Sequence, residues 1–192
     1  MRDTVPVYSG SHCRVGGFMS RIGIELDGVV CNMLSAAGRA FGEPSQPNAF
    51  SLGEMYPMIS DQHIHWWVNS PMTYRDIDIV DGCYATLSAW NIQHQLFFVT
   101  NRPPHTAQAT EQWLTRQQLG FAPVYFTTIK DIEVGALMLD ILIESDARQA
   151  AKLAKLCRTY ILDLPYNHWG AEAAIRARDW GHLSELINDA NQ

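Results

Sequence analysis

The chain has 192 residues, enough for one domain carrying at most a small insertion. With 47% hydrophobic and 18% charged residues it can fill a sizeable core, which argues against a disordered chain. The net charge is −6 and the 14 Lys and Arg are scattered, which disfavours duplex nucleic acid as a partner. A small anionic substrate remains open, because a bound divalent cation can supply local positive charge.

Cys13, Cys31, Cys83 and Cys157 show no paired spacing, so neither a zinc ribbon nor a disulfide framework is expected. They read as reduced, mostly buried thiols of a cytoplasmic protein. No stretch reaches the roughly 18 apolar residues that span a bilayer, so no membrane partner is expected. Residues 1–19 are polar and Gly-rich, lack the apolar core of a signal peptide, and read as a flexible leader to a domain over 20–192.

The first strand is expected over 21–26 and is closed by Asp27-Gly28. The interval that follows, about 31–74, contains no strand pattern but carries Pro44, Pro47, Pro57, Pro71 and several aromatics. It is too long for a plain loop and is read as a small, mainly helical cap, with a helix over 61–69. Within it, His63 and His65 are two residues apart on a helix, so they point to different faces and do not suit one shared metal ion. Tyr56, Trp66 and Trp67 are candidates for stacking on a flat group, though aromatic core is the commoner fate.

A short helix is expected over 83–90, then a strand over 95–99 that stops at Thr100-Asn101-Arg102-Pro103-Pro104. Residues 106–119 have helical spacing and stop at Gly120. Three further strands are expected over 123–127, 140–143 and 159–162, with a helix over 147–157 and a closing helix over 184–190. Strands alternating with helices predict a parallel sheet flanked by helices.

Ligands of an open parallel sheet bind at the carboxyl ends of its strands. The residues at those ends are Glu25 and Asp27, then Thr100 and Arg102, then Lys130, then Glu144 and Asp146. Clustered carboxylates need a cation, and Mg²⁺ with oxygen ligands meets that need. With Lys130 and Thr100 such a site suits a phosphate. One carboxylate can then attack phosphorus while another, Asp27, acts as acid and base.

The ordered set Ile24-Glu25-Leu26-Asp27-Gly28-Val29, Phe97-Phe98-Val99-Thr100, Lys130 and Ile143-Glu144-Ser145-Asp146 resembles the haloacid dehalogenase superfamily of phosphohydrolases. Tyr74-Arg75-Asp76-Ile77, Val80-Asp81-Gly82, Thr100-Asn101-Arg102-Pro103 and Asp163-Leu164-Pro165-Tyr166-Asn167 bring it nearest the 5'(3')-deoxyribonucleotidase family. The resemblance covers about residues 20–190. It implies a Rossmann-like α/β core with a helical cap after the first strand, Mg²⁺ as cofactor, and a nucleotide-like phosphomonoester as substrate.

Carried onto this sequence, the resemblance makes Glu25 and Asp27 catalytic, and Thr100, Asn101 and Lys130 phosphate-binding. It makes Arg75 and Arg102 substrate contacts, and Glu25, Asp27, Glu144 and Asp146 metal ligands. Two positions depart from the family pattern. Glu25 stands where the attacking residue is Asp, and the extra methylene moves the carboxylate by about 1.5 Å. Misplacement on the order of 1 Å can cost about a hundredfold in rate. Ser145 stands where a second acid is usual, which weakens the case for the metal. Three readings therefore remain: a phosphohydrolase, a catalytically inactive relative that binds a phosphorylated ligand or a protein partner, and an enzyme using Glu25 as a base.

Overall fold

The computed structural model describes residues 19–49 and 51–190, so the expected leader falls outside the described residues but for Met19. Six strands form one parallel sheet: β1 (Arg21–Ile24), β2 (Gln95–Thr100), β3 (Val124–Phe126), β4 (Ile141–Glu144), β5 (Arg158–Leu162) and β6 (Ile175–Ala177). Their order is β3-β2-β1-β4-β5-β6, which puts β1 between β2 and β4. Ile24 pairs with Phe98 on one side and with Ile143 on the other.

Alternate residues of these strands enter two cores, as the period of a strand requires. Ile22, Ile24, Leu96, Phe98, Ile141 and Ile143 share one cluster with residues of α4 (Cys83–Gln93), α5 (Ala107–Arg116) and α8 (Trp180–Ala190). Phe97, Val99 and Leu142 face the other way, onto α6 (Lys130–Ala136) and α7 (Ala147–Leu153). Gly23 belongs to that second face. A Cβ there would lie 2.4 Å from Leu139 Cδ1, so the missing side chain is what lets Leu139 close over β1.

Between β1 and β2 lie α1 (Met33–Phe41), α2 (Leu52–Met55), α3 (Asp61–Asn69) and a 3-10 turn, Pro71–Tyr74. Each helix opens on a side-chain cap: Asn32 for α1, Ser51 with Glu54 in a reciprocal box for α2, and Ser60 for α3. The segment has its own small core of Ala37, Met55, Tyr56 and Ile64. Tyr56 is buried there against Phe41, so it is packing rather than a stacking platform. Trp66 is exposed.

The sequence expectation missed β6, α1, α2 and α6 and placed several helix boundaries wrongly; α4 runs on to Gln93 and α7 stops at Leu153. The helix expected to run to Gly120 ends at Arg116, because Gln118 takes the left-handed position (φ 60°). Leu119 N then reaches Leu114 O and Gln118 N reaches Thr115 O, closing the helix as a glycine usually does. The last helix starts at Trp180, not at 184, where Asp179 Oδ1 accepts from His182 N. Among the described residues no helix is long and apolar enough to cross a membrane. Cys31, Cys83 and Cys157 are free thiols; Cys13 lies outside the described residues.

Candidate active site

Glu25 follows β1 directly, and its amide continues the sheet by donating to Ile143 O at 3.0 Å. That fixes where its side chain leaves the strand. Its Oε1 accepts from the amides of Leu26 (2.8 Å) and Asp27 (3.3 Å), and its Oε2 accepts from Lys130 Nζ. The same ammonium donates to Glu144 Oε1 at 2.6 Å. Glu144 is the last residue of β4, and Lys130 is the first of α6. Two neighbouring strand ends thus meet on one cation contributed from a third stretch of chain.

All three groups are buried: Glu25 is 5% exposed, Lys130 3% and Glu144 0%. Burial works against the lysine charge, but Glu144 and Glu25 outweigh it and hold the ammonium above its ordinary range. Burial pushes the Glu144 carboxyl up to about 7; Lys130 opposes the rise and the charge on Glu25 adds to it. Burial disfavours the charged form of Glu144 because it is the deepest member of the group.

Asp27 lies on the turn after Glu25 and faces a different cation. Its Oδ1 accepts from Arg102 Nη2 at 2.6 Å and Nε at 3.0 Å, and its Oδ2 lies 3.2 Å from Nε. Cys31 Sγ donates to the same carboxylate at 3.2 Å. Burial first, then the charge of Asp27, keeps Cys31 a thiol by raising its pKa well above the ordinary range. The Asp27 side chain remains 28% exposed, the most open of the three carboxylates.

The turn itself is shaped by Gly28, at φ 82°. A Cβ there would lie 2.3 Å from the Tyr166 hydroxyl and 2.9 Å from Ser145 Cβ. Ser145 Oγ donates to the main-chain carbonyl of Asp27 at 2.7 Å. Asn167, fully buried, donates to Ser145 O at 2.8 Å and to Leu162 O at 2.7 Å, tying the ends of β4 and β5 together.

Of the residues expected in the site, Glu25, Lys130 and Glu144 come together. Asp27 stands beside them on Arg102, and Thr100, fully buried at the end of β2, accepts from Arg102 N at 3.3 Å and keeps its hydroxyl proton to give. Asn101 is exposed at the same exit.

Two expectations are corrected. Arg102 is not an open substrate contact: its side chain is 0% exposed and is spent on Asp27. Asp146 is exposed and caps α7, its Oδ1 accepting from Arg148 N and Gln149 N. Arg75 is exposed, with its guanidinium 3.5 Å from Met72 Sδ. Sequence reasoning gave Cys31, Thr110 and Tyr74 no role around Arg102, although Tyr74 opens one of the stretches that carry the resemblance. A cleft of about 330 Å³ opens at the ends of β2 and β3, between Arg102, Pro104, Phe126 and Ile129.

With this geometry in place, comparison with known proteins decides the family. Residues 19–192 match the family model of 5' nucleotidase, deoxy (pyrimidine), cytosolic type C protein. The chain belongs to that family. Its members' class, phosphoric monoester hydrolase of the 5'-nucleotidase kind, is the enzyme class of this chain. A protein of Halalkalibacterium halodurans provisionally named a nucleotidase is 23% identical over 182 residues, covering 88% of this chain and 93% of its own.

Among solved structures, a haloacid dehalogenase-like hydrolase of Streptococcus pneumoniae superposes with a TM-score of 0.64 at 12% identity, covering 89% of this chain and 98% of its own. A haloacid dehalogenase-like hydrolase of Bacillus subtilis, solved bound to magnesium, gives 0.58 at 13% identity, covering 88% and 99%. At these identities the structures show the fold, that of the haloacid dehalogenase superfamily.

Proposed function

We propose that this nucleotidase-family protein hydrolyses a nucleotide-like phosphomonoester, with Glu25 as the attacking carboxylate and Asp27 as the proton-transfer group. The observation that carries the reading is the pairing of Glu25 and Glu144 on Lys130 at the carboxyl ends of β1 and β4. A carboxylate aimed by an ammonium is a nucleophile held in one orientation.

In the first step Glu25 attacks phosphorus and forms an acyl phosphate as the P–O bond to the leaving group breaks, and Asp27, carrying a proton taken up with the substrate, gives it to the departing oxygen. In the second, Asp27 takes a proton from water as that water attacks phosphorus. Phosphate leaves, and the Glu25 carboxylate is restored. Lys130 and Thr100 face the phosphate oxygens. The helical segment between β1 and β2 acts as a cap over this edge and excludes bulk water.

Magnesium is the cation the reading requires. Glu25, Asp27 and Glu144 set three carboxylates against two cations, Lys130 and Arg102, so an entering phosphate meets no spare positive charge. Among the described residues no three His, Cys, Asp or Glu side chains are gathered to hold a metal ion. Mg²⁺ asks for less, since it binds through one or two carboxylates and completes its shell with water and phosphate oxygens. Glu25 and Glu144, hard oxygen donors already side by side, fit that demand and would hold it. When bound it neutralises the phosphate oxygens. The family description places its members in the cytosol, and we extend that location to this chain.

One observation favours a second reading, a phosphate-binding relative without turnover. Both oxygens of Glu25 are already engaged, one by two amides and one by Lys130. Phosphate release from a panel of nucleoside monophosphates, with and without Mg²⁺, separates the two. Mg²⁺-stimulated release supports hydrolysis. Binding by calorimetry without release, from wild type and Glu25→Asp alike, supports the second reading.

A further inference from the structure

Arg102 is a guanidinium held from four sides. Nε and Nη2 grip Asp27, Nη2 also donates to Cys31 Sγ at 3.0 Å, and Nη1 donates to Thr110 Oγ1 at 3.1 Å. Its carbon centre lies 4.2 Å from the centroid of the Tyr74 ring. Rotating Asp27 away would leave a buried guanidinium without its carboxylate, which is strongly unfavourable. Asp27, though partly open to solvent, therefore has one orientation.

Tyr74 extends the arrangement. Its hydroxyl donates to Val68 O at 2.5 Å, Thr73 Oγ1 donates to Trp67 O at 2.6 Å, and His105 Nε2 lies 2.7 Å from Asn69 O. The last three carbonyls of α3 are thus held by the turn and by the segment following β2. One residue, Tyr74, touches α3 through its hydroxyl and Arg102 through its ring face.

We propose that Arg102 is the positioning residue for Asp27 and that Tyr74 ties this setting to the helical segment, an inference that rests on the hydrolase reading above. The planar fork, not charge alone, does this: lysine keeps the charge but cannot hold a carboxylate from two nitrogens while donating to Thr110.

The test compares Arg102→Lys with wild type in kcat/KM, which reports the steps through first P–O cleavage, on two substrates. A nucleoside monophosphate has a leaving group that needs a proton; p-nitrophenyl phosphate has one that does not. Arg102→Lys is expected to lose at least about tenfold on the nucleotide and less than about threefold on the aryl ester. Thr110→Val, which removes one support without touching Asp27, gives the same selective loss on a smaller scale and serves if Arg102→Lys does not fold. Equal losses on both substrates, or a rise in KM alone, overturn the assignment.

If wild type cleaves neither substrate, the hydrolase reading falls. The positioning claim is then judged on a crystal structure of Arg102→Lys. Asp27 turned to a new orientation beside an unchanged Glu25, Lys130 and Glu144 upholds it; an unmoved Asp27 overturns it.

Discussion

Lys130 Nζ stands 2.6 Å from Glu144 Oε1 while also holding Glu25, so two acids 119 residues apart depend on a single ammonium. Removing it leaves two buried carboxylates without a counter-charge. Lys130→Met is expected to cost about 3–5 kcal/mol of stability at neutral pH. Urea unfolding of the variant at pH 7 and at pH 5 checks this, and part of the loss is recovered at the lower pH as the acids protonate.

The raised Glu144 carboxyl makes stability depend on pH with a definite sign. Its folded pKa is about 7 against an ordinary 4.5, so the folded state binds the proton more tightly than the unfolded chain. The stabilisation it gives is complete below the ordinary value and is lost as pH rises through about 7. Lys130, also raised, contributes a constant amount across this window, because its stabilisation fades only above the ordinary lysine range. Wild type should lose stability relative to Glu144→Gln between pH 4.5 and pH 8, as read from chemical unfolding at a series of pH values. Parallel curves for the two proteins would contradict the raised Glu144 carboxyl.

Ser145 offers a hydroxyl beside Glu144, where a further carboxylate would add a ligand charge. Mg²⁺ affinity follows ligand charge, so Ser145→Asp is expected to bind the ion about tenfold more tightly than wild type. The Mg²⁺-dependent rise in melting temperature, measured on both proteins over a concentration series, is the readout. An unchanged dependence would place the ion away from residues 144 and 145.

The sheet was legible where strands are apolar runs. The expected spans around β1, β2, β4 and β5 match because each buries nearly every residue. β6 was hidden by its length and by Arg176, a charged residue in the middle of the strand that bonds to Asp163 and Asn167 in the preceding loop. Gly38 and Gly135 weakened the helical pattern of α1 and α6.

The strand-end rule found Glu25, Thr100 and Glu144, because a parallel sheet sends those positions to one edge whatever else happens. It could not say which cation each acid would take. Arg102 and Asp27 are 75 residues apart, and burial of the guanidinium depends on Tyr74 and Thr110 closing over it. Asp146 was misjudged although its local signal was plain: an Asp just before a helical run caps it.

Hydrolysis as proposed depends on Glu25 attacking phosphorus. Glu25→Gln keeps the size of the side chain and an acceptor for Lys130 while removing the nucleophile. Phosphate release from the best nucleoside monophosphate, with Mg²⁺ and with folding checked by circular dichroism, should fall on the order of a thousandfold or more. Turnover by Glu25→Gln at the wild-type rate would contradict the account.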